Sequence, residues 1–238
     1  MIDYHCHVLP EVDDGASSVQ ESLAMLRQSY HHGVKIMVST SHFYPDEEEP
    51  KAFLSRRNAA YLRLKEAMKQ KGEPFPLIVL GAEVLYFPGI SQAEEIASLA
   101  IGCRTTILVE PPMVRWSDRM LDEIVELGQN LKCRPVIAHV DRYMSYLGDG
   151  KLIDRVLERN LLVQVNGAYF LDPKTVKSAV RNLKRGKIHL IGSDCHNMSS
   201  RRPNLGEVRA LMKTYRAESE FQILERNARK LLFPGDYL

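Results

Sequence analysis

The stretch IDYHCHVLPEVDDGA, residues 2–16, decides how the rest of the chain is read. It opens as a strand over 2–7 and sets His5 and His7 two positions apart. Residues i and i+2 of a strand project to the same side, so the two imidazoles form a ready pair of ligating nitrogens at the strand's end. The DDG that follows has the composition of a turn, and a turn there can fold Asp14 back over the same end.

Outward from this stretch the same unit recurs, a short β-rich run followed by a helical pattern. Further strand runs lie at 35–42, 77–84, 105–110, 135–140, 161–166 and 188–194, which makes seven. Helical patterns fill 17–32, 50–71, 91–99, 117–131, 150–159, 173–185, 204–215 and 218–231. Ser17 and Ser117 are placed as caps, and Gly33, Gly72, Asn160 and Gly186 as stops. Near-continuous apolar strands separated by helices predict a parallel sheet covered on both faces. Seven such units predict closure into a TIM-like α/β barrel, with an open doubly wound sheet as the second candidate. No glycine-rich phosphate loop follows any strand, which weakens the open sheet.

Composition sets the frame. The 238 residues suit one domain spanning 1–238, and a formal charge of +2 gives no general pull toward nucleic acid or anionic membrane. No apolar run is long enough to insert in a membrane, and the first fifteen residues carry His and Asp where a signal peptide needs an apolar core. The expectation is a cytoplasmic protein whose four cysteines, Cys6, Cys103, Cys133 and Cys195, are free thiols.

Five of the eight histidines fall at predicted strand C-termini: His5, His7, His42, His139 and His196. Glu83, Glu110 and Asp194 stand at such ends too. In a parallel barrel these ends converge on one face, where barrel enzymes keep their active sites. Burying so many carboxylates and imidazoles without a cation is very costly, so the pattern points to metal ligation. With Asp14 the set reaches nine nitrogen and oxygen donors and no thiolate. That is too many for one ion and suits two or three divalent metals such as manganese, iron or zinc.

These residues carry a resemblance. H-x-H after the first strand, DDGA, TSH, GAEV, LVEPP, HVDRY and SDCHN with R-x-P beyond it, spread over residues 2 to 205, resemble the polymerase and histidinol phosphatase (PHP) superfamily. Within it, the chain is most similar to bacterial protein-tyrosine phosphatases of capsule and exopolysaccharide operons. The resemblance implies a distorted (β/α)7 barrel, the PHP fold, holding three metal ions, commonly Mn2+. It assigns His5, His7, Glu83 and Asp194 to the first metal, Glu83, Glu110 and His139 to the second, and Asp14, His42 and His196 to the third. Arg142 and Arg201 match the family's substrate-phosphate arginines. The departures are Val140 and Asp141 where the family more often has proline and glutamate, Cys195 where it has alanine, and Pro111 where it has phenylalanine. None removes a ligand.

The implied chemistry is hydrolysis of phosphotyrosine by a metal-activated hydroxide, with the two arginines neutralising the phosphoryl oxygens. The implied partner is the phosphotyrosine-containing tail of a bacterial tyrosine kinase; the oligomeric state is left open. Rim aromatics Phe43, Tyr44, Tyr86, Phe87, Trp116 and Tyr169 are candidates to meet the substrate ring, one or two of them at most. A competing motif is CHNMSSR, residues 195–201, which satisfies the C-x5-R of cysteine-dependent phosphatases. Strand alternation points Cys195 away from the side shared by Asp194 and His196, so it is read as a small buried hydrophobe, as is Cys6. Two other functions stay open: a small-molecule phosphoesterase such as a histidinol-phosphate phosphatase, and a non-catalytic PHP scaffold.

Overall fold

The computed structural model describes residues 1–103 and 105–237. Its strands are β1 (Ile2–Cys6), β2 (Ile36–Ser39), β3 (His42–Phe43), β4 (Leu77–Leu80), β5 (Glu83–Leu85), β6 (Thr106–Glu110), β7 (Arg134–Ile137), β8 (Leu162–Asn166) and β9 (Leu190–Gly192). Every strand pair is parallel, in the orders β1-β2-β4 and β3-β5-β6-β7-β8-β9. β1 and β9 complete the ring: His7 N donates to Cys195 O at 2.9 Å and Asp194 N to His5 O at 2.8 Å, around a Cys6–Cys195 bridge.

Nine strands occupy seven positions because the second and third predicted runs each break in two. The first half of each stays on β1's side and the second half on β6's side. Glu83 N takes up Ser41 O at 3.1 Å across the two breaks. At the third position the break sits at Gly81, whose ideal Cβ would lie 2.6 Å from Ile101 Cγ1, and whose carbonyl accepts from the buried guanidinium of Arg57 at 2.8 Å. The break turns Glu83 into the barrel mouth.

The helices are α1 (Val19–His31), α2 (Pro50–Lys71), α3 (Asp118–Leu131), α4 (Val140–Leu147), α5 (Leu152–Glu158), α6 (Ala168–Leu171), α7 (Val176–Lys184), α8 (Leu205–Thr214) and α9 (Glu218–Leu232). Four details differ from the sequence reading. Residues 90–92 and 94–99 form 3-10 turns instead of one α-helix. α4 and α6 start directly at strand ends, inside segments read as strand and loop. The cap of α1 is Ser18, whose hydroxyl accepts from Glu21 N at 3.2 Å, while Ser17 bonds the Glu21 carboxylate one turn on. Among the described residues no helix is long and apolar enough to cross a membrane.

Two apolar layers result. The larger lies between strands and helices and includes Cys6, Met37, Val84, Val109, Ile137 and Cys195. The smaller fills the barrel floor with Ile2, Tyr4, Val38, Leu108, Val136 and Leu190, closed beneath by Ala228 and Leu232 of α9. A register shift between Asp3 and Cys6 lets Tyr4 pack in the floor while His5, the next residue, also turns inward above it. The charged side chains are thereby gathered at the upper end of the barrel, while in the floor the Tyr4 hydroxyl is satisfied by Thr106 at 2.6 Å.

The β1–β9 seam is tight. An ideal Cβ on Gly192 would meet His5 Cβ at 2.4 Å and His5 backbone N and O at 2.9 Å. Gly192→Ala is therefore expected to cost about 3 kcal/mol through overpacking against backbone, lowering the unfolding midpoint by roughly 6–12 °C in a chain of this size. Thermal unfolding followed by circular dichroism checks it, and an unchanged midpoint would mean that the seam can spread.

Candidate metal centre

Eight of the nine predicted donors sit on or just past barrel strands, and Asp14 enters from the loop after β1. The structure brings all nine together, with Glu83 at the centre. This fully buried carboxylate lies 3.0 Å from His5 Nε2, 3.2 Å from His7 Nε2, 3.3 Å from His42 Nδ1 and 2.8 Å from His139 Nε2. Glu110 lies 3.3 Å from His139 Nε2 and 3.5 Å from His42 Nδ1. Asp194 Oδ1 is 3.6 Å from His5 Nε2 and 3.5 Å from His7 Nε2. Asp14 Oδ1, on the exposed rim, is 3.2 Å from His196 Nε2 and 3.5 Å from His42 Nε2.

Two of the strand ends are sharply turned. His139 (φ 29°) and Asp194 (φ 53°) both take positive φ, a conformation that β-carbon-bearing residues adopt at a cost. At His139 the turn reverses β7 into α4 while keeping the imidazole in the mouth.

The electrostatics are those of a site built for cations. Burial pushes the Glu83 carboxyl up, but His5 and His139 outweigh it and hold it well below the usual carboxylate range. Burial pushes the His139 imidazole down, yet Glu110 and Glu83 hold it up at about 10. His196 goes the other way, lowered to about 4 by burial and by His7 beside it. Among the described residues, four buried atoms of the cluster, His42 Nδ1, His139 Nδ1, Asp194 Oδ1 and His196 Nε2, make no well-aligned hydrogen bond, although Asp194 Oδ1 is ion-paired with Arg201. His5 Nε2 and His7 Nε2 approach to 3.1 Å with both facing Glu83. Close nitrogens, orphaned donors and carboxylates without thiolate fit hard to borderline divalent ions. Seven of the nine donors fall into three overlapping compact groups: His7, Asp14, His42 and His196; His5, His7 and Glu83; and His42, Glu83 and Glu110. His139 and Asp194 flank these groups through their contacts with Glu83, Glu110, His5 and His7.

Several residues that hold this cluster were not read from the sequence. Asp13 accepts from His7 Nδ1 at 2.7 Å, His42 N at 2.9 Å and Gly15 N at 3.0 Å, so it fixes two imidazole-bearing segments and the loop that carries Asp14. Gln164 on β8 lies 3.2 Å from His5 Nδ1 and accepts from His139 N at 2.6 Å. Asn166, two residues on, donates to Asp194 Oδ2 at 2.7 Å. Their signal in the sequence was a pair of polar residues at i and i+2 within the otherwise apolar run LLVQVN.

A cavity of about 610 Å3 opens beside the cluster, lined in part by Asp194, Arg142, Arg201 and Arg202. Arg201 Nη2 lies 2.9 Å from Asp194 Oδ1 and its Nη1 3.7 Å from Asp14 Oδ2, while Arg142 Nη1 is 3.8 Å from Asp194 Oδ2. Arg202 turns away and forks onto Glu207. Cys195 is buried in the helix-side core. Five amides of its loop are already taken up: His196 N and Asn197 N donate to Arg201 O, Arg201 N and Ser199 N to Asn197 Oδ1, and Met198 N to the Glu21 carboxylate outside the loop. Such a loop offers no cradle of free N–H groups for a phosphate. Of the rim aromatics, Phe43, Trp116 and Tyr169 are buried, Tyr86 bonds Glu123, and Tyr44 stacks on His42 at 5.3 Å.

The model of the family described as "Capsular polysaccharide synthesis, CpsB/CapC" matches residues 1–233. Tyrosine-protein phosphatase CpsB of Streptococcus pneumoniae is 29% identical, over 98% of this chain and 98% of that protein. Tyrosine-protein phosphatase YwqE of Bacillus subtilis is also 29% identical, over 98% and 91%. A solved structure from work on YwqE and CpsB, described as "unique metal-dependent tyrosine phosphatases", superposes with TM-score 0.82 at 24% identity, covering 98% of this chain and 94% of the other, and establishes the likeness of fold.

Asp13 gives a test of how the centre is held. Asp13→Ala is expected to weaken Mn2+ binding about 10- to 100-fold, the usual effect of removing a carboxylate that orients a ligating imidazole. Calorimetric titration of the metal-free protein measures it; unchanged affinity would show that β1 alone orients His7.

Proposed function

This chain belongs to the CpsB/CapC family of capsular polysaccharide synthesis, and from that premise we propose that it is a metal-dependent phosphotyrosine-protein phosphatase. The observation that carries the proposal is that two arginines, Arg142 and Arg201, line one cavity with Asp194 and stand within 4 Å of that carboxylate, which is itself a member of the nine-donor cluster. The relatives named as tyrosine-protein phosphatases support the substrate class. The substrate we assign is the phosphotyrosine-bearing tail of a bacterial tyrosine kinase, met in the cytoplasm.

Three divalent ions, Mn2+ foremost with iron or zinc as alternatives, are assigned to the cluster; its three overlapping donor groups support that number, although they place His42 rather than His139 with Glu83 and Glu110 and add His7 to Asp14, His42 and His196. His5, His7, Glu83 and Asp194 would hold the first ion, Glu83, Glu110 and His139 the second, and Asp14, His42 and His196 the third. Ions bound there supply water made nucleophilic near neutral pH and charge stabilisation at the phosphoryl oxygens.

The protein's own groups do the remainder. Arg201, already turned inward against Asp194, offers a planar fork that matches two phosphoryl oxygens, and Arg142 approaches the same carboxylate from α4. Glu83 and Asp194 keep the imidazoles directed inward, and Gln164 and Asn166 hold His5 and Asp194 from behind. A tyrosyl oxygen, with a pKa near 10, leaves with far less assistance than an alkoxide. Cys195 takes no part, so no phosphocysteine forms.

Chelation is expected to abolish hydrolysis of a phosphotyrosine peptide, and added Mn2+ to restore it; activity persisting at zero measured metal content would overturn the assignment. Arg201→Ala should lower kcat on the order of 100-fold, the scale of one lost charge-stabilising donor. Arg201→Lys should recover little, since a point charge cannot reproduce the fork. Cys195→Ala should keep most of the turnover in the same steady-state assay, and its loss with metal content unchanged would instead favour a cysteine nucleophile.

A further inference from the structure

A second cleft, of about 480 Å3, opens next to the cavity of the metal centre and shares Arg142, Asp141, Ala168 and Asp172 with it. Its outer walls are different in character: Met113 from the loop after β6, Tyr146 from α4 and Tyr169 from α6. Met113 is 39% and Tyr146 64% exposed, large apolar surfaces left open beside a polar site.

The placement of these groups follows from how the local backbone is held. α4 begins at Val140, so Arg142 falls in its first turn, and Tyr146 is four residues further on, on the same helix face. Side chains at i and i+4 are about 5–6 Å apart at Cβ. A group that bridges from Arg142 to Tyr146 is thus one residue or so larger than a phosphoryl group. The opposing loop is firmly anchored. Trp116 is buried and packs edge-on against Tyr143 at 4.7 Å, its indole donates to Pro112 O at 3.3 Å, and Tyr143 OH bonds Pro111 O. Val114 N closes onto Pro112 O at 2.8 Å. Met113 is therefore exposed on a constrained loop, a preformed contact that costs little ordering on binding.

Charge selects the occupant. Arg142 is the one cation among the described residues lining this cleft, and it faces Asp194 and the metal centre; of the two carboxylates common to both openings, Asp141 is buried and accepts from Asn166 N, while Asp172 is exposed. An acidic side chain would meet the exposed carboxylate of Asp172, and an uncharged apolar one would meet Met113 and Tyr146. We propose that this cleft is a specificity subsite that seats an apolar side chain lying within two residues of the phosphotyrosine in the substrate chain. The inference rests on the phosphatase reading above and adds to it a sequence preference. It also separates protein substrates from small phosphate esters, which end before Tyr146.

The test uses Mn2+-loaded protein and three phosphotyrosine peptides that differ only in the two residues on either side of the phosphotyrosine: leucine, glycine or aspartate. The wild type is expected to favour the leucine-flanked over the glycine-flanked peptide on the order of tenfold in kcat/KM, mostly through KM, the scale of small apolar contacts in a binding pocket. The aspartate-flanked peptide should be the poorest. In Tyr146→Ser, and further in Met113→Ser with Tyr146→Ser, the leucine-to-glycine ratio should fall toward one. Equal kcat/KM for leucine and glycine peptides in the wild type, or a ratio that survives both substitutions, overturns the subsite while leaving the phosphatase assignment standing. Failure of the metal-loaded wild type to hydrolyse any of the three overturns the phosphatase assignment and the subsite with it.

Discussion

Glu83 is a fully buried carboxylate that touches imidazoles from three separate strand positions, His5 on β1 with His7 just past it, His42 on β3 and His139 after β7. Such a group is tolerated inside a protein only if it is surrounded by partners that keep it charged. Much of the architecture can be understood as meeting that requirement. The break at Gly81 exists to aim Glu83 inward, and Arg57 reaches from α2 to hold the carbonyl at the break. The positive φ at His139 keeps its ring facing the carboxylate while the chain departs into α4. On the far side, β8 contributes no imidazole or carboxylate to the cluster, yet through Gln164 and Asn166 it ties together His5, the His139 backbone and Asp194.

How much of this was legible beforehand depended on the kind of signal. Seven apolar runs alternating with helical patterns carry the barrel, because strands buried on both faces are forced to be apolar along their length. The nine donors were visible as polar residues interrupting or ending such runs. The breaks at 40–41 and 81–82 were not, since TSH and GAEV read smoothly as strand; only the requirement to aim His42 and Glu83 inward distinguishes them. α4 was hidden because Val140 and its neighbours continue an apolar strand in composition, and the reversal lies in the φ of His139, a residue type with no fixed backbone preference. Residues 94–99 read as α-helix on their apolar spacing and settle into 3-10 turns. Asp13 went unread beside Asp14 because a DD pair gives no indication of which carboxylate turns inward; the tight packing of Gly15 on His7 decides it.

The junction of β1 with β9 has a consequence for how this protein comes into being. Asp3 accepts from Ser193 N at 2.8 Å and from the Ser193 hydroxyl at 2.5 Å, a contact spanning 190 positions of chain. The two pairs of donors on either side, His5 with His7 and Asp194 with His196, are neighbours only once that junction has formed. Contacts of such long sequence separation are made late, since the loop entropy must be spent before they give any return. An ion held by members of both pairs, as in the assignment proposed above, could not be captured by a nascent or half-folded chain, so metal uptake would be a property of the finished ring. Once bound, it favours the closed state by mass action over every open one. With such an ion in place, metal supply and resistance to proteolysis would be coupled through a seam made of two short parallel strands.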